Sequence, residues 1–299
     1  MTVPVSTSLE RTYRYLRIGV AGTVVVIFVA VALAAAGPTR PEAPLDAPAA
    51  SGGAVGTVGW LTSVSDYFYT PARNAFVGAL IAVALALVAL SGRGSERALL
   101  DAAALFVPLI ALVPTTVVPD SIPGVSVACE HRCFPPAYEA DAANGVGTYL
   151  AVGGVVVLVA LLLAALRQVS LRAIGFSLAV TVAVLVAVGL TWAFARDVFL
   201  QQGHFVATIA FFALFAAVAV RSAFPRREEP PRLVFRVLYA VIAVALALVL
   251  VVYVVLLPQA DAYGIPLILL AEAAALGLFF AFWVVQGIEK WNEVDPGLR

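Results

Sequence analysis

Charge is scarce in this chain. Only 12% of its 299 residues are Asp, Glu, Lys or Arg, about half the ~25% usual in a soluble domain. Lysine occurs once, at Lys290, against seventeen arginines, and histidine only at His131 and His204. Two histidines exclude a three-histidine zinc site. A net charge of zero leaves no basic footprint for nucleic acid, so none is expected as a partner. The sequence also lacks a glycine-rich phosphate loop, a His-Glu-x-x-His pair and a serine nucleophile elbow. No motif therefore names a cofactor, a metal or a reaction. The arginine excess over lysine reads as codon usage in a GC-rich genome rather than as mechanism.

What the chain has instead is apolar length, with 63% of its residues hydrophobic. A hydrocarbon core of about 30 Å needs about 20 helical residues at ~1.5 Å each. Runs of that kind fall at 18–36, 74–91, 98–118, 147–166, 171–194, 204–221, 237–257 and 264–286. Strand barrels would instead show alternating segments of about ten residues. The expectation is an all-α, polytopic transmembrane bundle of about eight spans in the plasma membrane, with membrane lipids as its surroundings. Alternating the spans from an inside N-terminus puts fourteen of the eighteen basic residues inside. Only Arg40, Arg73, Arg132 and Arg196 remain outside. That asymmetry predicts N-in and C-in. The resulting organisation is a cytoplasmic N-terminus (1–17), a bundle (18–286) with outer loops 37–73 and 119–146, and a cytoplasmic tail (287–299). Arg11 to Arg17, the first apolar run and Ala34-Ala35-Ala36-Gly37 also fit a signal peptide. Its removal would leave seven spans with the same outward faces.

The outer loops carry the unusual composition. Residues 37–59, rich in Pro, Ala and Gly, predict a mobile linker. After it, Trp60, Tyr67, Phe68 and Tyr69 surround Asp66 just before a span, the pattern of a segment lying at the membrane interface. In 119–146 the sequence Cys129-Glu130-His131-Arg132-Cys133 predicts a disulfide on an oxidising side; a Cys-His-Cys metal site and free thiols are the alternatives. The third span carries Pro108 and Pro114 and is predicted to kink. On the inner side, Arg221 to Arg227 reads as a topology determinant that could touch anionic headgroups.

Ionisable residues inside spans are rare and usually functional. Asp101 lies one helical turn after Arg97, so an i,i+4 pair explains it. Glu272 lies eight residues inside the last span. A carboxylate at such depth costs about 2.5–3.5 kcal/mol on insertion scales, so it must be protonated, paired or facing a wet cavity. Helix direction brings Asp66, Arg73, His204 and Glu272 to the outer half of the bundle, where they are the candidate ligand-binding residues of an outward-opening polar pocket.

The segment Ser63-Val64-Ser65-Asp66 followed by Pro71-Ala72-Arg73-Asn74-Ala75-Phe76-Val77-Gly78 resembles multi-pass membrane families of unknown function and DRAM/Sfk-type proteins. Those families combine an outer Ser-x-Ser-Asp segment, a histidine beginning a later span and an acid in the last one. The matching positions are Ser65, Asp66, His204 and Glu272. The resemblance implies about six spans where this chain has eight, and the cysteine loop has no counterpart in it.

Three functions fit these residues. The first is an integral membrane protein binding a lipid or small polar molecule in an outer pocket, or a partner through its outer loops. The second is a membrane-embedded hydrolase of lipid amides or esters using Asp66, His204 and Glu272. The third is a proton-coupled carrier titrating Glu272.

Overall fold

A computed structural model describes residues 6–37, 59–91, 95–224, 232–256 and 266–291. They form eight helices: α1 (Ser6–Ala36), α2 (Arg73–Leu90), α3 (Ser95–Leu112), α4 (Glu139–Ala165), α5 (Leu171–Phe194), α6 (Arg196–Ala223), α7 (Leu233–Leu256) and α8 (Leu267–Glu289). Hydrocarbon offers backbone groups no water, and a continuous helix satisfies them internally. The chain breaks where proline removes a donor. Pro71 precedes α2, Pro114 follows α3, Pro135 and Pro136 precede α4, and Pro266 precedes α8. Ser170 caps α5, its hydroxyl accepting from the Ala173 N–H at 3.3 Å. Seven of these helices are long and apolar enough to cross a membrane. The eighth, α3, carries Glu96, Arg97 and Asp101 in its first two turns.

Two of the boundaries that differ from expectation bear on the site. The third helix stops at Leu112 rather than near 118, so Pro108 lies inside it and Pro114 beyond it. The sixth begins at Arg196, a single residue after α5 ends, which sets His204 more than two turns into the helix rather than at its start. The expected mobile linker lies outside the described residues except for its ends. So do residues 225–231 of the basic loop and the tail beyond 291.

Six helices close a ring, packing in the order α1, α2, α3, α6, α7, α8 and back to α1. Lipid is as apolar as leucine, so close packing and interhelical hydrogen bonds hold such a ring together. Its centre is an aromatic cluster in which Phe215 meets Phe279 and Phe282 at centroid distances of 4.6 and 4.8 Å. Phe211 and Trp283 extend the cluster. The hairpin α4–α5 lies outside the ring, seated mainly on α3, with Val155, Val156 and Leu158 exposed. Gly145 permits that seating: a Cβ there would stand 2.5 Å from the Leu112 carbonyl oxygen.

The first turns of α1 and the end of α8 share one face. Arg17 Nη1 donates to the Lys290 carbonyl at 3.0 Å, and Arg14 donates to the Trp291 carbonyl. These cations satisfy carbonyls at a helix C-terminus, where the helix dipole also favours positive charge. The opposite face, the disulfide face, carries the segment before α2 and the cysteine loop.

Candidate functional site

The aromatic segment before α2 does not lie along a lipid interface. It enters the bundle on the disulfide face, and Leu61 and Ser63 through Phe68 are buried. Gly59, at φ +67°, turns the chain inward, a conformation available to glycine without a Cβ penalty. The turn is locked by Tyr67, which accepts from the Leu61 N–H at 3.3 Å and donates to the Gly59 carbonyl at 3.2 Å. Further along, the Thr62 carbonyl accepts the Leu269 N–H at 2.9 Å, satisfying one of the orphan donors at the start of α8.

This docking brings Ser63, Val64 and Ser65 onto Glu272, the sixth residue of α8. Glu272 Oε2 accepts from Ser63 Oγ at 2.6 Å, from the Val64 N–H at 2.7 Å and from the Ser65 N–H at 3.2 Å. Oε1 accepts from Tyr253 OH of α7 at 3.3 Å and lies 3.4 Å from Ser65 Oγ. All of these groups can donate, an environment suited to a carboxylate that only accepts. The depth cost expected for this acid is met by hydrogen bonds rather than by a basic partner.

His204 completes the network. Its Nδ1 lies 2.7 Å from the Val113 carbonyl, which only accepts, so Nδ1 carries a hydrogen. That carbonyl is freed because α3 has just ended. In the neutral ring Nε2 then accepts from Ser65 Oγ, 3.0 Å away. Ser65 has one hydrogen and two acceptors within reach, so His204 and Glu272 communicate through it rather than by direct contact.

Asp66 takes a separate cation. Arg132 Nη2 donates to Asp66 Oδ1 at 3.0 Å and to the Thr116 carbonyl at 2.9 Å, while Thr62 donates to Oδ2. Burial still outweighs these contacts, raising the Asp66 carboxyl from 3.8 to about 6. Burial likewise pushes the Tyr69 hydroxyl up. Arg132 is held by a disulfide joining Cys129 and Cys133 and by paired backbone hydrogen bonds between Val117 and Cys133 at 3.0 and 3.1 Å. Its Nη1 is buried and has no acceptor among the described residues.

Asp66, His204 and Glu272 therefore converge on the segment 62–66. Arg73 does not join them. It pairs with Asp141 of α4 at 3.0 Å and lies over the Phe68 ring at 4.2 Å, so the cation beside Asp66 is Arg132. Sequence reasoning gave Arg132 no site role, although its place between the two cysteines marked it as held on this face. Tyr253 was missed too; a tyrosine near the disulfide-face end of a valine-rich span was the available signal. Asp101 meets both Arg97 (3.4 Å) and Ser177 (2.8 Å), away from this site.

No family model matches this chain, and no curated protein or solved structure matches it.

Two adjoining cavities flank the network. One, of about 370 Å³, is lined by Arg132, Gln201, Phe205, Tyr253 and Glu272, among others. The second, of about 1210 Å³, runs between α1 and α8 and is mostly apolar, with Phe28, Val31, Trp60, Leu267 and Ala273 on its walls. His131 and Ile268 line both. Ser65 and His204 are 6% and 5% exposed and lie behind Ser63 and Glu272, which reach the polar cavity. Among the described residues no three His, Cys, Asp or Glu side chains are grouped to hold a metal.

Proposed function

We propose that this polytopic membrane protein binds an amphipathic lipid, with the headgroup in the polar cavity and a chain in the groove between α1 and α8. The observation that carries this reading is the adjacency of the two cavities, one polar and one apolar, sharing His131 and Ile268. Ligand sites of this kind combine an apolar body with a few placed polar groups. The basic excess at the terminal face supports N-in and C-in with eight spans in the plasma membrane, which would turn the disulfide face, residues 37–73 and 119–146, to the outside. Asp66, His204 and Glu272 shape the pocket wall in this reading.

A lipid with brominated acyl chains tests it. Added in near-stoichiometric amounts to the detergent-solubilised protein, it should saturably quench the part of the tryptophan fluorescence that Trp60→Phe removes. Ala273→Phe, which fills the groove, should abolish that quenching. Non-saturable quenching that Ala273→Phe leaves intact would refute the reading.

The hydrolase of lipid amides or esters stands second, favoured by the Ser65–His204 contact at 3.0 Å. The Val64 and Ser65 N–H groups that could stabilise an oxyanion already hold Glu272, so a substrate must first displace it. Labelling by a fluorophosphonate that Ser65→Ala abolishes would favour this alternative. The carrier is the weakest reading, because the aromatic cluster of Phe211, Phe215, Phe279 and Phe282 fills the bundle beyond Glu272.

A further inference from the structure

We infer that the polar cavity takes a zwitterionic headgroup, its anionic part on Arg132 and its ammonium between Glu272 and the Phe205–Tyr253 ring pair. The inference rests on the lipid-binding reading above and narrows it to a ligand class. Both signs of charge line one space of about 370 Å³. A purely anionic headgroup would approach the Glu272 carboxylate, and a purely cationic one would approach the Arg132 guanidinium. Repulsion between like charges grows in a partly desolvated pocket. A dipolar group meets both walls with the favourable sign.

Each wall has capacity to spare. Arg132 lines the cavity and commits Nη2 and Nε to Asp66 and the Thr116 carbonyl; Nη1 has no acceptor among the described residues but is itself buried, so an anion meets it once the side chain shifts toward the cavity. Guanidinium is the side chain best shaped for a phosphate or carboxylate. On the other wall, Glu272 Oε1 has only the two long contacts, 3.3 and 3.4 Å. Beside it the Phe205 and Tyr253 rings lie 5.3 Å apart, tilted by 30°. Both rings line the cavity with Glu272, and an acid beside aromatic rings is the chemistry that receives an alkylammonium or quaternary ammonium.

The disulfide ring contributes to both parts of the site. His131 and Arg132 line the polar cavity, while Glu130 and His131 line the groove.

The test compares brominated lipids with identical chains and different heads: phosphocholine, phosphoethanolamine, phosphoglycerol, and a neutral diacylglycerol. With wild-type protein in detergent, the two zwitterionic lipids should bind about tenfold tighter than the other two, the scale of a desolvated cation–π and charge contact. Phe205→Leu, which keeps the charges, should reduce the phosphocholine preference to about threefold or less. Equal affinity for all four heads, or preference for phosphoglycerol, would overturn the inference while leaving lipid binding intact. If no lipid quenches Trp60, the lipid reading fails. In that event thermal stabilisation by free phosphocholine would keep the zwitterion assignment with a soluble source, and its absence would overturn that as well.

Discussion

The Glu272 carboxylate of α8 accepts the backbone N–H of Val64 at 2.7 Å, joining residues 208 positions apart inside the bundle. With Ser63 and Ser65 donating alongside, it anchors the whole segment before α2 to the last helix. Removing the carboxylate therefore costs more than one side chain. Glu272→Ala leaves the buried Val64 N–H without an acceptor, at about 1–3 kcal/mol, while the Ser65 N–H keeps Ser63 Oγ at 2.9 Å. Glu272→Gln keeps one oxygen for those donors and offers its NH₂ to two hydroxyls that can turn to accept, so a loss of about 1–2 kcal/mol is expected. Glu272→Lys sets a cation among donors and should impair membrane assembly. Membrane yield and thermal unfolding in detergent check the order Gln, Ala, Lys; equal behaviour of Gln and Lys would contradict it.

The Arg132–Asp66 pair should matter more than the Arg73–Asp141 pair. Asp66 is fully buried, whereas Arg73 and Asp141 are 39% and 43% exposed. Arg132→Gln strands a buried charge, for which about 3–5 kcal/mol is typical. Arg73→Gln disrupts an exposed pair worth about 1 kcal/mol or less. Comparing the two unfolding midpoints is sufficient, and similar losses would count against the assignment of Arg132 as the buried partner.

Asp66 should make stability depend on pH. Its folded pKa, about 6, stands above the ordinary 3.8 because burial penalises the charged form. The folded state thus holds this proton more tightly than the unfolded chain does. The associated stability is fully present below about pH 4 and is lost as pH rises through about 6. The gap corresponds to about 3 kcal/mol. Asp66→Asn removes the titration, so the stability difference between wild type and variant should shift in the variant's favour from pH 4 to pH 7. A difference constant over that range would be inconsistent with the raised pKa.

Reduction should loosen the site before it unfolds the bundle. Cys129 and Cys133 should resist alkylation in intact cells until a reductant is added. Closing so short a ring is worth about 2 kcal/mol in chain entropy, a local contribution because the loop lies outside the helices. The paired Cys129→Ser, Cys133→Ser variant should retain its helical content by circular dichroism and lose lipid-dependent Trp60 quenching. Alkylation of both thiols in unreduced cells would refute the disulfide.

Gly145→Ala should unseat the α4–α5 hairpin. Its new methyl meets the Leu112 carbonyl oxygen at 2.5 Å, and overpacking of this kind costs about 1–3 kcal/mol. Gly147→Ala, with nothing within 4 Å, is the control and should be neutral. Equal midpoints would show that α4 does not pass so close to α3.

Composition and apolar length alone determined that this is a helical multi-pass membrane protein, because a bilayer enforces long apolar helices and prolines punctuate them locally. The Cys129–Cys133 disulfide was legible for the same local reason: two cysteines four residues apart have little else to reach. Depth along each helix also set Asp66, His204 and Glu272 at one level. It could not say which way each side chain turned, since that depends on which helices become neighbours. Only the tertiary structure decided that α1, α2, α3, α6, α7 and α8 close a ring, that the aromatic segment enters its mouth, and that Arg73 turns to Asp141 while Arg132 meets Asp66. Those choices are made by contacts between residues far apart in the chain, 209 positions for Ser63 and Glu272 and 273 for Arg17 and Lys290, and no spacing within a single segment carries that information.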